Sequence, residues 1–300
     1  MRCIMKKINY HTHTYRCGHA KGTEEEMVQA AIQIHMEELG ISDHIPLPYY
    51  RLHLLKSITA VRSLRSLASL ILAFIKDGPN MRMSYLHMVE YLKAIEEASI
   101  NHHGEIKIYK GFEAEYLEEY LDYYQELLTT YQIDYLILGN HFNKHCIHTC
   151  YYGKSKLSKK ELYCYCNDVE KAIETNLFSY IAHPDLFMVG YTKFDDDAKV
   201  VCRRICEKAK EYDIPLEING GGMQRGLREL DGEKLYQYPN ARFWRIAAEI
   251  GNKVVIGLDA HTPDDFNDVL YEQLLEFARE LNLNVVDEFE LRKGKVDVIA

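Results

Sequence analysis

Three histidines lie close together near the start of the chain, in the stretch YHTHTYRCGHAKG at residues 10–22. His11 and His13 are two residues apart and follow the stretch CIMKKIN. Because side chains at i and i+2 of an extended chain point to the same side, these two imidazoles can bind one cation. His19 lies six residues after His13, and we expect it to reach a different cation. This H-x-H motif therefore predicts metal chemistry.

Histidines and carboxylates also follow six later stretches that are typical of strands. Any one of these residues alone could be an ordinary hydrogen-bonded side chain or a helix cap. Burying so many ionisable groups together is unfavourable unless a cation compensates for it, and Zn, Mn and Fe accept both nitrogen and carboxylate ligands. The pattern therefore predicts a metal centre at the strand ends, which carry these pairs: Asp43 and His44, Glu113 and Glu115, Asn140 and His141, His183 and Asp185, Glu217 and Asn219, and Asp259 and His261.

Strand-like and helical stretches alternate along the chain. One helix is predicted over residues 24–40, ending at Gly40, and another over residues 195–212. Alternation of this kind favours a parallel sheet, and seven regularly spaced strands favour one closed or nearly closed barrel over two domains. In an α/β barrel the carboxyl ends of the strands meet at one face, which explains how residues so far apart could form one site.

Composition excludes several classes of function. The chain has 300 residues and a formal charge of −9, without a long basic tract, so nucleic-acid binding is not expected. No apolar stretch has the roughly 18 residues of a membrane span, and the start of the chain lacks the layout of a signal peptide. The eight cysteines show no C-x-x-C pairs and are expected to be reduced thiols. We predict a cytoplasmic protein that acts on a small molecule.

Residues 46–83 interrupt the regular alternation, because they are too many for a simple connection. Their apolar part, ITAVRSLRSLASLILAFI at residues 58–75, predicts a helix or a helical hairpin. We expect this inserted segment to lie at the barrel mouth, as a lid or as the contact of a homodimer.

Six motifs together resemble the polymerase-and-histidinol-phosphatase (PHP) superfamily, and its histidinol-phosphate phosphatase branch in particular. They occur in the order HTHTYRCGHA, GISDHIPLP, KGFEAEY, DYLILGNHF, YIAHPDLF and VVIGLDAHTPDD, and they span residues 10–265. The resemblance implies a distorted (βα)7 TIM-like barrel, formed as a single domain over residues 1–300 with the insertion at 46–83.

The resemblance also implies a centre of three divalent metal ions, for which Zn, Fe and Mn are all compatible. It assigns the first ion to His11, His13, Glu113 and Asp259, the second to Glu113, His141 and His183, and the third to His19, His44 and His261. All nine positions carry a suitable residue in this chain, as an active member of the family requires.

The activity implied is hydrolysis of L-histidinol phosphate to L-histidinol and phosphate, a step of histidine biosynthesis. Clustered cations would neutralise the phosphate ester and provide hydroxide near neutral pH for in-line attack. No H-C-x5-R motif indicates a phosphorylated cysteine instead. Two alternatives stay open: another phosphoesterase of the family, acting on nucleotide, sugar or tyrosine phosphates, and a metal-binding scaffold without turnover, which the complete ligand set disfavours.

Further residues are candidates for catalysis and substrate binding. Catalysis is assigned to the predicted metal ligands Glu113, Asp259 and His261 and to two further carboxylates, Asp43 and Asp185. Asp43 and Asp185 could each be the general acid or, as we prefer, could orient a metal ligand. Glu115 could be the acid or could bind the cationic part of the substrate. Arginine suits phosphate oxygens, and the candidates for that role are Arg16, Arg225 and Arg228, with Arg82 as a further one.

Overall fold

The computed structural model of the chain describes residues 5–56, 58, 61, 63–76, 81–142, 151–154 and 156–293, and every statement below concerns these residues. The strands are β1 (Ile8–Asn9), β2 (Glu38–Ile41), β3 (Lys107–Ala114), β4 (Tyr135–Leu138), β5 (Tyr180–Ile181), β6 (Leu216–Asn219), β7 (Leu227–Leu230), β8 (Glu233–Tyr236), β9 (Lys253–Gly257) and β10 (Asn284–Val285). The α-helices are α1 (Glu24–Gln33), α2 (Tyr50–Lys56), α3 (Leu64–Lys76), α4 (Met88–Asn101), α5 (Leu121–Thr129), α6 (Lys159–Glu174), α7 (Asp196–Glu211), α8 (Gly220–Met223), α9 (Ala241–Ile250) and α10 (Asp268–Glu280).

Eight parallel strands form one curled sheet in the order β1-β2-β3-β4-β5-β6-β9-β10. The sheet closes where the chain after β1 meets the chain after β9: Thr12 bridges to Ala260, and the backbone N–H of His13 donates to the Ala260 carbonyl over 2.8 Å. β10 pairs with the same edge of β9 closer to the start of that strand, where Asn284 lies opposite Lys253. The barrel thus has the seven strands predicted from the sequence. β10, which was not predicted, lies beside β9 at the end of the barrel where β1 and β9 do not pair directly.

The helix predicted over residues 24–40 is shorter in the structure. Thr23 caps α1 with a reciprocal capping box to Glu26, and the helix ends at Gln33. His35 adopts a left-handed backbone with φ of 59°, after which Glu38–Ile41 pair with β1 and β3 as a strand. The prediction that the helix continues to Gly40 is wrong, because strand pairing in the sheet outweighs the local helical pattern.

An antiparallel hairpin of β7 and β8 lies outside the barrel sheet and was not predicted. Leu230 pairs with Glu233, which leaves Asp231 and Gly232 as a two-residue turn with φ of 50° and 80°. A turn with two left-handed residues is the type I′ turn that Asp-Gly favours. The dipeptide between the stretches LREL and EKLY was therefore the signal for this hairpin.

The lower half of the barrel interior is filled by aromatic side chains, and we call this layer the floor. Tyr10, Tyr135, Tyr180 and Val255 point inward from four strands. Phe289, from the segment after β10, lies edge-on to Tyr10 at 5.2 Å and to Tyr180 at 5.7 Å between ring centroids. The floor therefore fills the end of the barrel opposite the polar strand ends.

The inserted segment contains two helices, α2 and α3, of which α3 lies in the stretch 58–75 predicted to be helical and α2 precedes it. Residues 57, 59–60, 62 and 77–80 within the segment lie outside the described part of the chain. Leu54 is buried, whereas α3 exposes large apolar side chains such as Leu64 and Ile75. Its role as a lid or as a dimer contact stays a prediction. In the described residues, no helix is long and apolar enough to cross a membrane.

Candidate metal centre

The carboxyl ends of the barrel strands bring all nine predicted metal ligands into one group. Glu113 lies within β3, and each other ligand lies on the segment that follows a strand. The rings of His13 and His44 stack at 4.5 Å, and those of His141 and His183 lie 4.8 Å apart. Burial is graded across the group, from fully buried His11 to exposed His19, so the centre opens toward solvent on one side.

Glu113 lies in the middle of the group, with both carboxylate oxygens directed at histidine nitrogens. Oε1 lies 3.0 Å from His183 Nε2 and 3.5 Å from both His11 Nε2 and His141 Nε2, and Oε2 lies 2.9 Å from His44 Nδ1 and 3.4 Å from His13 Nε2. A carboxylate with ligand nitrogens around both oxygens can bridge two cations. This position is consistent with the bridging role that the family resemblance implies for Glu113.

His11 directs Nε2 at its neighbour. Its Nδ1 lies 2.8 Å from Glu217 Oε1, and since a carboxylate accepts, Nδ1 carries a proton, which leaves Nε2 as the nitrogen that can bind a cation. That Nε2 lies 3.1 Å from His13 Nε2 and 3.3 Å from Asp259 Oδ1. Two nitrogens and a carboxylate oxygen at these separations are a set that can hold a cation.

The imidazole nitrogens of His19 and His261 also face each other. His261 Nδ1 lies 2.8 Å from the Asp259 carbonyl, and His19 Nδ1 lies 3.3 Å from the Cys17 carbonyl, so both rings donate from Nδ1. Their Nε2 atoms face each other at 3.0 Å. The ring of His44 lies 5.3 Å from that of His19, which completes the group predicted to hold the outermost ion.

Burial and charge set the protonation of the centre. Burial lowers the pKa of His44 from 6.5 to about 4 and that of His13 well below 6.5, so both rings are neutral at pH 7. Burial opposes ionisation of Glu113 and Asp259, but the surrounding histidines outweigh it and hold the pKa of both carboxyls well below their usual values. Neutral imidazoles beside ionised carboxylates are the donors that a divalent cation requires.

The rings of His11 and His141 lie in a negative electrostatic potential, which favours their charged form. Burial opposes a charged ring at His11 and at His141, but the carboxylates near each of them, Glu113 among them, outweigh it and raise the pKa of both. The negative potential that would hold a proton on these rings favours a metal cation in the same place.

Several polar atoms of the centre are buried without hydrogen bonds. Such atoms indicate whether the residues present fit a bound cation, because a cation would satisfy them. Among the described residues, these buried atoms include Glu113 Oε2, Asp259 Oδ1 and the Nδ1 atoms of His13, His44 and His183. Glu113 Oε2 and His44 Nδ1 are close but do not meet in hydrogen-bonding geometry. Since an unsatisfied buried polar group is costly, the residues present fit bound divalent cations. Sets of three ligand atoms within 4.8 Å of one another include His11, His13 and Asp259, then His11, Glu113 and His183, and then His13, His44 and Glu113.

Close packing around the carboxylates depends on two glycines. A Cβ added at Gly139 would lie 2.0 Å from Glu113 Oε1, and one at Gly257 would lie 1.6 Å from Glu217 Oε1. Two ligands, His183 and Asp259, adopt left-handed backbones with φ of 30° and 52°. Non-glycine residues rarely adopt this conformation, and it is concentrated at functional sites.

Glu217 is a functional residue that was not assigned a role from the sequence. Besides accepting from His11, it accepts the backbone N–H of His183 over 3.0 Å and the amide of Asn219 over 3.2 Å. It therefore orients two predicted ligands at once. The available signal was its place at the end of a strand, two residues before Asn219, which matches the other ligand-bearing strand ends.

Asp43 and Asp185, predicted as catalytic or orienting residues, are both fully buried. Burial raises the pKa of each to about 7. Asp43 accepts from the backbone N–H and hydroxyl of Thr14, over 2.8 and 2.6 Å, and lies 3.9 Å from His13 Nδ1. Asp185 accepts the backbone N–H of Asn240 over 2.5 Å, where α9 begins. These contacts favour orientation of the loops that carry the ligands.

Glu115, predicted to act as the acid or to contact the substrate, is buried and pairs with Arg82. Its Oε1 accepts from Arg82 over 2.9 Å and lies 3.6 Å from His141 Nδ1. Burial opposes its ionisation, but Arg82 and His141 outweigh it and lower the pKa of Glu115 to about 2. This environment favours a role for Glu115 in orienting His141.

The three arginines predicted to bind phosphate lie in different places. Arg16 pairs with Glu24 and with Glu90, the latter over 2.9 Å, so its charge is already matched. Arg228 is exposed on β7. Arg225 is exposed too, but its guanidinium lies 5.0 Å from the ring of Tyr238, which is 6.2 Å from that of His183. Arg225 is therefore the one of the three that the structure places beside the centre.

A curated relative is similar to this chain over most of its length. A curated protein of Deinococcus radiodurans, named "Probable histidinol-phosphatase", is 25% identical over 266 residues, which cover 85% of this chain and 86% of the relative.

Two crystal structures share the fold. The hisK protein of Listeria monocytogenes matches with a TM-score of 0.66 and 22% identity, covering 89% of this chain and 99% of that one. Histidinol phosphate phosphatase of Lactococcus lactis, complexed with Zn, L-histidinol and phosphate, matches with a TM-score of 0.65 and 14% identity, covering 96% of this chain and all of the other.

The family model described as PHP domain matches residues 9–221, which include seven of the nine predicted ligands. The remaining two, Asp259 and His261, lie beyond the match but within the same group of side chains. The chain belongs to the PHP domain family.

Proposed function

We propose that this protein is a metal-dependent phosphomonoesterase that hydrolyses L-histidinol phosphate to L-histidinol and phosphate in histidine biosynthesis. The observation that carries the proposal is the convergence of histidine lone pairs and carboxylate oxygens around Glu113. The relative from Deinococcus radiodurans is named for this activity, and the Lactococcus lactis structure contains both products with Zn. We place the reaction in the cytoplasm, consistent with the free thiols of Cys17, Cys166, Cys202 and Cys206.

The nine ligands would hold three divalent cations, with Zn, Fe and Mn as candidates, in the division that the family resemblance implies. When bound, such cations neutralise the charge of a phosphate monoester and lower the pKa of water. The protein's part is to aim the imidazoles inward, as Glu217 does for His11 by accepting from its Nδ1. Asp43, Asp185 and Glu115 hold the ligand-bearing loops by their buried hydrogen bonds.

We also propose that Arg225 binds the phosphate group of the substrate, since guanidinium pairs well with phosphate oxygens. It lies over Tyr238 at the edge of the centre and carries no carboxylate partner in the described residues. Arg225→Met should raise KM more than Arg228→Met, a matched change three residues further along the chain. Equal effects of the two substitutions would instead assign both arginines, or neither, to the substrate.

The decisive assay is phosphate release from L-histidinol phosphate, compared with p-nitrophenyl phosphate and a nucleoside monophosphate, with metal content measured on the same sample. We expect a strong preference for L-histidinol phosphate that is lost in His13→Ala and Glu113→Ala. His103→Ala, a change at an exposed histidine outside the centre, is the control and should retain activity.

Each other outcome has a defined meaning. Good metal loading with hydrolysis of only the other esters would keep the metal mechanism but replace the substrate with a nucleotide, sugar or tyrosine phosphate. Metal loading without any turnover would support the scaffold alternative.

A further inference from the structure

The inserted segment of residues 46–83 is fastened at its two ends by one buried arginine. Arg82, at the end of the segment, is only 7% exposed. Its Nη1 donates to the carbonyl of Ile45, the residue just before the segment, over 3.0 Å. Its Nη2 donates to Glu115 Oε1 over 2.9 Å. The guanidinium thus joins the start of the segment, its end and the carboxylate that follows β3.

Glu115 connects this arginine to a predicted metal ligand. Its Oε1 lies 3.6 Å from His141 Nδ1, while the other ring nitrogen of His141, Nε2, lies 3.5 Å from Glu113 Oε1. The ring therefore directs Nε2 toward the centre and Nδ1 toward Glu115. At 3.6 Å, Glu115 and His141 form an electrostatic contact rather than a hydrogen bond. A carboxylate behind a metal-binding histidine favours one orientation of the ring and increases its basicity.

Arg82 is needed for Glu115 to do this. Glu115 is 1% exposed, and a carboxylate that deeply buried is strongly destabilised when its cationic partner is removed. In the described chain, Arg82 is the only arginine or lysine that forms a salt bridge with it. Loss of the guanidinium would therefore displace or neutralise Glu115 and release the His141 ring.

We propose that Arg82 is a positioning residue that couples the order of the 46–83 segment to cation binding at His141. This rests on the metal centre proposed above, but not on the identity of the substrate. The two coupled equilibria are cation binding at His141 and ordering of the segment through the Arg82 hydrogen bonds. Because such coupling is reciprocal, a cation at His141 stabilises the ordered segment, and the Arg82 hydrogen bonds strengthen the binding of that cation.

Metal affinity is the first test. Apo-protein is titrated with Zn²⁺ in competition with a chromophoric chelator, for wild type, Arg82→Lys and Arg82→Met. Removing an orienting partner typically weakens metal binding by about 10–100-fold, and we expect this for one class of ion in Arg82→Met. Arg82→Lys retains the charge but not the forked geometry and should be intermediate; it also carries the test if Arg82→Met does not fold.

Arg292→Met is the matched control, because Arg292 is also buried but lies near the floor. Its guanidinium bonds to Asn176 and to the Tyr212 carbonyl, away from the centre. This variant should lose stability with unchanged Zn²⁺ affinity, which separates positioning of His141 from a general effect of removing a buried arginine.

Limited proteolysis is the second test and requires no turnover. Arg51 on α2 and Arg65 on α3 are exposed sites for trypsin within the segment. Added Zn²⁺ should slow cleavage there in wild type and Arg292→Met, but not in Arg82→Met. Equal Zn²⁺ affinity in Arg82→Met and wild type, or equal protection by Zn²⁺ in both, would overturn the coupling. Wild-type protein that takes up no Zn²⁺ would instead refute the metal centre itself.

Discussion

Three histidines of the metal centre, His11, His19 and His261, use their two ring nitrogens for different purposes. In His11, Nδ1 donates to Glu217 and Nε2 is left for a cation, and in His261 the Asp259 carbonyl has the same effect. A neutral imidazole carries one proton, so its acceptor decides which nitrogen can bind metal. The residues that accept these protons therefore matter to the chemistry as much as the ligands do.

Glu217→Gln is predicted to weaken metal binding by about 10–100-fold while leaving the fold intact. Both oxygens of Glu217 accept, from His11, His183 and Asn219, whereas the NH2 group of glutamine would face one of these donors. Chelator competition on the apo-protein measures the change. Glu249→Gln, at an exposed glutamate paired with Arg203, is the control and should bind metal normally. Unchanged affinity in Glu217→Gln would show that His11 needs no such partner.

The residue types in the sequence indicated the candidate metal ligands, but they did not indicate the side chains that orient those ligands. The three early histidines and the strand-end pairs contained all nine residues that the structure brings together, and the family resemblance selected these nine as ligands; their binding of metal stays a prediction. Glu217 lies 206 residues after His11, and Arg82 lies 33 residues before Glu115. No local pattern connects positions so distant, because the contact exists only after the barrel has closed.

At the scale of elements, the strands position the site by ending close to one another. β6 and β9 pair with Glu217 beside Val255 and Asn219 beside Gly257. Because Gly257 has no side chain, the Glu217 carboxylate occupies the space next to it. The register of this one pair of strands therefore decides where the carboxylate lies.

Gly257→Ala is predicted to displace the Glu217 carboxylate, since the added Cβ would lie 1.6 Å from Oε1. The result should be both a less stable fold and weaker metal binding, measured by thermal unfolding and by chelator competition. Ile8→Ala on β1 is the control, because Ile8 packs in the same apolar cluster as the floor residues but pairs with Glu38 rather than with Glu217. It should lower stability alone, and equal metal affinity in the two variants would contradict the prediction.

The long elements could be predicted from the sequence, whereas some of the short ones could not. The α7 helix and the β3 strand have enough residues for a clear period. β10 has only two residues, and its place depends on a gap in the barrel that no local sequence reveals. The end of α1 was misplaced for a related reason, because residues 38–41 continue the helical pattern and become a strand only through pairing on both sides.

At the scale of the whole molecule, ionisable groups and aromatic side chains occupy opposite ends of one barrel. The centre holds buried carboxylates and imidazoles, which are unfavourable without a counter-charge. The floor contains apolar and tyrosine side chains from the strands and from the segment after β10. Stability of the polar end should therefore depend on bound cations, while that of the floor should not.

Metal removal is predicted to lower the melting temperature of the protein. A ligand that binds only the folded state stabilises it by about 2.7 kcal/mol at 100 times its Kd, which corresponds to a shift of several degrees. Calorimetry before and after dialysis against a chelator measures this, and restoring Zn²⁺ or Mn²⁺ should reverse it. Identical melting with and without metal would mean that no cation contributes to the folded state.

The floor also has a consequence for how the chain folds. Tyr10 and Phe289 touch in the finished barrel, although 278 residues separate them along the chain. Contacts of such long sequence separation form slowly, because the intervening chain must first be ordered. During synthesis from the N-terminus, Tyr10 therefore waits for nearly all the rest of the chain before it meets Phe289. Until then the nascent barrel has an uncovered aromatic interior, and this open stage is where a chaperone would bind or a second nascent chain would aggregate.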